Sequence, residues 1–165
     1  MKKIIICILM IFCLVGCGEK KEVDVHLEGI SFDADIVTGK FSGVCRIEIS
    51  SGGLLVMEAK SPESIAGTRL TFDGEKTVIN YKGLEYIPEL PISNDAATEI
   101  INKILRCAAS GDKQAVKTDE GFLLTGEVSN LKYSLYVTEG GLPLSLSIEK
   151  PKLYAEFSNV KMLNK

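Results

Sequence analysis

Leu131-Lys132-Tyr133-Ser134-Leu135-Tyr136-Val137, Thr138-Glu139-Gly140-Gly141 and Leu142-Pro143-Leu144-Ser145-Leu146-Ser147-Ile148 follow one another without interruption, and their reading decides the fold. Leu131, Tyr133, Leu135 and Val137 share one parity, with Lys132, Ser134, Tyr136 and Thr138 on the other. Leu142, Leu144, Leu146 and Ile148 repeat the pattern against Ser145 and Ser147. A period of two places one set on a buried sheet face and the other toward water. Glu139-Gly140-Gly141 between the runs is turn chemistry. Pro143 has no N–H to give a ladder, so it demands an edge or strand-start position.

Working outward, the same grammar repeats. Phe122–Val128 ends at Ser129-Asn130, and Leu153–Val160 follows the Glu149-Lys150-Pro151 turn. Upstream, Val23, Val25 and Leu27 alternate, then Ile30, Phe32, Ala34 and Ile36, with a phase shift near Gly29 that predicts a bulge or break. Phe41, Gly43, Cys45, Ile47 and Ile49 face one way, and Ser51-Gly52-Gly53 turns. Leu54–Ala59 reads as a strand covered on both faces. Thr68–Phe72 and Lys76–Lys82 flank Asp73-Gly74, a short-range hairpin signal. One helix interrupts the strands: Ala97, Ile100, Ile101, Ile104, Leu105 and Ala108 form an apolar stripe. Ser93 or Asn94 can cap it, Glu99 and Lys103 can pair across it, and Gly111 stops it. The expectation is a mainly β (α+β) chain of about nine short strands and one helix, joined by hairpins apart from the helical crossover.

The first residues carry a different message. Lys2 and Lys3 precede an apolar run from Ile4 to Val15. As helix, about twelve residues reach only ~18 Å, short of a ~30 Å bilayer core, so the run reads as a secretory signal. Its end, Leu14-Val15-Gly16-Cys17, resembles the lipobox of bacterial lipoproteins. That resemblance implies a diacylglyceryl thioether on Cys17, cleavage before it, and often a fatty acyl group on the new amine. The protein would then be held at a cell membrane or envelope, on the extracytoplasmic side. Residues 1–16 would be the signal peptide, 17–22 the lipidated Cys and a short tether, and 23–165 one β-rich domain. Even fully extended, about six tether residues reach only ~20 Å, which keeps the domain near the bilayer.

The chain of 165 residues has 19 basic and 22 acidic side chains, a net charge of −3. Loss of the leader removes Lys2 and Lys3 and no acid, leaving 17 basic and 22 acidic groups and a charge of −5. No basic patch with interleaved aromatics exists, so nucleic acid is not an expected partner. Cys45 and Cys107 are the two thiols left beyond the leader and Cys17. A disulfide between them and two buried free thiols both fit. Two Cys and one His lack metal-ligand spacing.

Little else suggests chemistry. His26, the one histidine, reads as an exposed strand residue rather than a general base. Ser110-x-x-Lys113 and Ser147-x-x-Lys150 match a motif that activates serine, but this many Ser and Lys produce such a match by chance. The first lies at a helix end and the second at a hairpin turn. No phosphate loop, dinucleotide fingerprint or His-Glu-x-x-His occurs. No enzyme activity and no cofactor are expected.

The order of elements resembles the LolA/LolB-like fold. The resemblance rests on Ser61-Pro62-Glu63-Ser64-Ile65-Ala66-Gly67, Phe72-Asp73-Gly74, Tyr81-Lys82-Gly83-Leu84 and Gly140-Gly141-Leu142-Pro143-Leu144, with the helix set between two groups of strands. It implies a curved antiparallel sheet forming an incomplete barrel, with the helix packed as a lid over an apolar cavity. Phe72, Ile79, Tyr81, Ile101, Leu105 and Tyr133 are the expected ligand-binding residues. The implied role is that of an anchored binder of an acyl chain, lipid or lipoprotein. The alternative is a structural or regulatory module that meets an envelope protein partner through a strand edge, with no small-molecule ligand.

Overall fold

The computed structural model describes residues 23–39, 41–88, 97–110 and 113–163. The leader, Cys17, the tether, the expected caps at Ser93, Asn94 and Gly111, and the Glu99 side chain lie outside the described residues. The strands are β1 (Ile30–Thr38), β2 (Ser42–Ile49), β3 (Leu55–Ala59), β4 (Arg69–Phe72), β5 (Thr77–Tyr81) and β6 (Leu84–Tyr86). Helix α1 (Ala97–Ser110) follows. Then come β7 (Gln114–Thr118), β8 (Gly121–Val128), β9 (Leu131–Val137), β10 (Pro143–Ile148) and β11 (Leu153–Met162).

All eleven form one antiparallel sheet in the order β6-β5-β4-β3-β2-β1-β11-β10-β9-β8-β7. Each neighbour pair is a hairpin except β1 with β11, which joins the two halves. The sheet does not close: β6 and β7 are its free edges, and α1 is the connection between them.

The alternation read from the sequence sets which face is buried. Ile30, Phe32, Ala34 and Ile36 of β1, Ile47 of β2, Leu135 of β9 and Ala155 of β11 are at most 1% exposed. They join one core with Ile100, Ile101, Ile104, Leu105 and Ala108 of α1. Burying each large aliphatic side chain contributes about 1.5–3 kcal/mol, so the helix is held by this stripe more than by its own propensity. Pro143 is the first residue of β10, where its missing N–H costs least.

Four expectations need correction. Val23–Leu27 alternates in burial but is no strand; it is an extended arm, tied to the sheet by the His26 N–H to the Gly141 carbonyl, 3.1 Å. Gly29, with φ +66°, separates this arm from β1. Leu55–Ala59 is buried on one face, with Val56 and Glu58 half-exposed on the other. The Asp73-Gly74 turn is a four-residue connection, in which the Asp73 carboxylate accepts the Glu75 and Lys76 amides. The strands β6 and β7 add to those expected: both lie at the edges, where exposed side chains break the alternation.

The outer face carries one polar cluster. Opposite Phe32, β11 bulges, and Asn159 adopts φ +52°. Its amide donates to Asp33 at 2.7 Å, Arg46 donates to Asp33 at 3.1 Å and to Ser31 at 2.9 Å. The Asn159 hydrogen bond, then the Arg46 hydrogen bond and charge, hold the Asp33 carboxyl below its ordinary 3.8 against an opposing effect of burial. A depressed carboxyl stabilises the fold above its unfolded pKa and loses that contribution as pH falls through the folded value. Asp33→Ala should therefore cost about 1–2 kcal/mol at about pH 7, with the gap closing at about pH 2. Urea unfolding at both pH values measures it, and a gap that stays constant refutes the linkage.

Gly141 (φ +77°) is where the arm lies closest to the sheet, and a Cβ there would collide with the Asp24 carbonyl. Gly141→Ala should release the arm. The expected result in hydrogen exchange is faster exchange at His26, with the amides of β1 and β11 unchanged.

Candidate functional site

The sheet has two ends. One carries Gly39, Phe41 and the turns 60–68, 82–83, 129–130 and 149–152; the other carries 50–54, 73–76, 119–120 and 138–142, together with the arm. At the first end, the N-terminal turn of α1 stands off from β1–β4 and leaves a partly open cavity of about 720 Å³. Its floor is Ile36, Cys45, Met57, Ala59 and Leu70, one to two residues from each of β1–β4. Its roof is Ala97 and Ile100, and its rim is Phe41, Ile65 and Pro151-Lys152-Leu153. The hollow lies where side chains are small: Ala97 above, Ala59 and Thr68 below, Gly39 at the rim. One turn further along the helix, Ile101, Ile104 and Leu105 fill the corresponding space and are buried.

The rim is tied down. Thr38 Oγ1 accepts the Phe41 N–H at 2.9 Å, and the Thr38 N–H donates to the Phe41 carbonyl at 2.7 Å. The 60–68 loop is fixed to β2 by the Lys60 and Ser61 amides, both donating to the Val44 carbonyl, and by Ser61 Oγ, which accepts the Val44 N–H at 2.8 Å. Gly43 makes this possible, since a Cβ there would meet the Ser61 carbonyl and the Phe41 ring. The cavity is thus largely preformed, and its size falls within the ~300–1,000 Å³ of small-molecule sites.

Its chemistry is that of a container. Burial raises the Cys45 thiol above its ordinary 9.0, so at neutral pH it is protonated and a weak nucleophile. Lys152 is the single charged residue in the lining; it is exposed and has no carboxylate within ion-pair distance among the described residues. Apolar walls with one cation at the rim suit an apolar chain.

None of the six residues expected to bind ligand lines this cavity. Ile101 and Leu105 are 1% and 0% exposed in the core beyond it, so a carboxylate placed there would unfold the chain before it probed a ligand. Phe72 is half-buried at the far end of β4, packed on the core. Ile79 pairs with Leu70 and Tyr86 across β5. Tyr81 donates to the Ser64 carbonyl at 3.3 Å, one residue from Ile65 of the rim. Tyr133 is buried at 3%, its ring over Gly126. Its hydroxyl makes no hydrogen bond among the described residues, and burial, with the Cys107 thiol beside it, pushes its pKa up to about 12. Cys45 and Cys107 are free thiols and form no disulfide. The lining residues carried the signal of inward-facing apolar positions, which does not separate the wall of a hollow from a filled core.

The other polar candidates have structural employment. Ser110 Oγ donates to the Arg106 carbonyl at 2.9 Å and Lys113 Nζ to the Ala108 carbonyl at 2.5 Å, so this Ser-x-x-Lys pair satisfies the helix C-terminus. His26 is exposed beside a second hollow of about 460 Å³ with Asp24, Lys117 and Glu139, a lining without a Ser, Cys or Tyr nucleophile. Among the described residues no cluster of His, Cys, Asp and Glu could hold a metal, and no helix is long and apolar enough to cross a membrane.

No family model matches the chain, and none of the curated proteins does. Solved structures do. An uncharacterized conserved protein from Thermus thermophilus is similar at a TM-score of 0.52 and 15% identity, over 83% of this chain and 81% of that one. A LolA superfamily protein from Nitrosomonas europaea is similar at 0.44 and 11%, over 88% and 91%. MucB, in a complex with MucA from Pseudomonas aeruginosa, is similar at 0.38 and 14%, over 80% of this chain and half (50%) of that one. The likeness is one of fold, an open antiparallel sheet with one helix among the described residues.

Proposed function

We propose that the protein is a non-enzymatic, lipid-anchored envelope protein that holds an apolar ligand in the cavity between the N-terminal turn of α1 and β1–β4. The observation that carries this reading is the partly open hollow of about 720 Å³ with apolar floor and roof from both layers. A sheet that is curved around one helix encloses more volume than that helix fills, and the surplus is on the apolar side. The ligand is an acyl chain or a molecule that bears one. The lipobox-like Leu14-Val15-Gly16-Cys17 supports attachment of the chain to the membrane through Cys17. Two or more acyl chains hold firmly, each buried CH₂ adding about 0.8 kcal/mol.

The test uses the full chain, extracted gently and weighed by native mass spectrometry. A bound apolar molecule is expected on the wild type. Ala97→Phe, which places a ring in the roof of the hollow, should reduce its occupancy several-fold with little change in melting temperature. Unchanged occupancy in Ala97→Phe, or no bound molecule in the wild type, sinks the reading. The same spectra give the covalent mass: Cys17→Ala should lack the diacylglyceryl group and leave the membrane fraction.

A second reading has its own observation. The free edge at β6 exposes Leu84, Tyr86 and Ile87 at 75%, 62% and 52%. An exposed apolar strand edge accepts an added strand, here an extended segment of an envelope protein. A photocrosslinker at Glu85 gives a protein adduct in cells under this reading and none under the first.

A further inference from the structure

The two ends of the sheet differ in charge. At the cavity end, exposed turn residues are Lys60, Lys82, Lys150 and Lys152 against Glu63 and Glu149. At the arm end they are Asp73, Glu75, Asp119, Glu120 and Glu139 against Lys76, with Asp24 and Glu28 on the arm itself. In a chain of net negative charge, positive charge is concentrated where the apolar hollow opens. Lys60 is neutralised by Glu58, but Lys152 has no ionic partner among the described residues and is itself part of the lining.

We propose that the cavity takes a single-chain amphiphile with an anionic head, its alkyl chain inside and its head paired with Lys152 at the rim. This deepens the proposed function and rests on it. Three features select that ligand class. The interior offers no carboxylate or amide side chain to a polar head, so the head must stay at the mouth. The mouth offers a cation, and a carboxylate or phosphate beside the Lys152 ammonium forms a charge-assisted contact that a neutral alcohol cannot form. The field at this end attracts anions and repels cations before contact, which sets the entry route as well as the bound pose. A lipid with a cationic head gains from none of these. Lys152 is a binding residue in this scheme and no group is transferred.

The experiment is a competition. The full chain, in non-ionic detergent, is incubated with equal amounts of palmitate, a lysophosphatidate and hexadecanol. The protein is captured, and the retained lipids are extracted and quantified. The wild type should retain at least one of the two anions about threefold to fivefold over hexadecanol, the worth of one contact to an exposed cation. Which anion leads tells whether the head is a free carboxylate or a lipid phosphate. Lys152→Met, which keeps the stem and removes the charge, should bring the ratio to near parity, and Lys152→Arg should keep it. Detergent partition cancels in the comparison of variants. An anion-to-alcohol ratio that is equal in wild type and Lys152→Met overturns the head-group proposal while the apolar cavity stands. Retention of none of the three, in any variant, removes the cavity reading itself.

Discussion

The ladder between β1 and β11 is the constraint on which the rest depends. Ala34 pairs with Phe157 and Ile36 with Ala155, so the first and last strands of the chain meet at the middle of the sheet. Phe32 and Phe157 pack edge to face across this seam, with ring centroids 5.1 Å apart. Since β1 and β11 occupy the centre, the free edges fall at β6 and β7, in the middle of the sequence. Neither edge is built to close on the other: β6 has three exposed residues, and β7 is polar with Val116 turned outward at 58%. The helix joins them and lies over the concave face instead. Among the described residues, one short helix over an open sheet leaves the hollow.

The filled and empty parts of that face follow from side-chain volume along α1. Ile101, Ile104 and Leu105 occupy the space over the sheet, and Asn102 and Arg106 fasten the same part of the helix, Arg106 donating to the Gly53 carbonyl at 2.6 Å. Near Ala97 the space is lined, among the described residues, by small side chains at Ala97, Ala59, Thr68 and Gly39. Close packing would have favoured collapse of this space. Instead the rim is held by the Val44–Ser61 hydrogen bonds and by the Thr38–Phe41 pair within it. The hollow is thus kept open by hydrogen bonds along its walls and rim and not by apolar packing across it.

How much of this was legible follows from which interactions are local. The hairpin of Leu131–Ile148 and the stripe from Ala97 to Ala108 announce themselves by period, since each residue's neighbours along the chain fix its face. The arm at Val23–Leu27 has the period of a strand without a ladder, because Gly141 and not a neighbouring strand receives it. β7 has a ladder without the period, because an edge strand needs only backbone pairing. The cavity is the least legible feature. Gly39, Ala59, Thr68 and Ala97 come from four separated segments, and only the fold brings their small volumes together. Tyr133 and Leu105 were as apolar and as inward-facing as Ile36 or Leu70; what separates them is the volume of what lies opposite.

The charge separation and the position of the arm have one joint consequence. The arm leaves the sheet at the acidic end, beside the 138–142 turn, and the cavity opens at the basic end. The ten residues of β11 run between the two ends, about 30 Å at ~3.3 Å per residue. A lipid on Cys17 would hold the acidic end within the ~20 Å reach of the tether. With the domain upright on its tether, the mouth would lie at the far end of β11, toward the aqueous side. A ligand would then arrive through water and not by lateral extraction from the bilayer that carries the protein. Single-chain anionic amphiphiles, soluble enough to cross that gap as monomers, meet this kinetic condition as well as the chemical one set by Lys152.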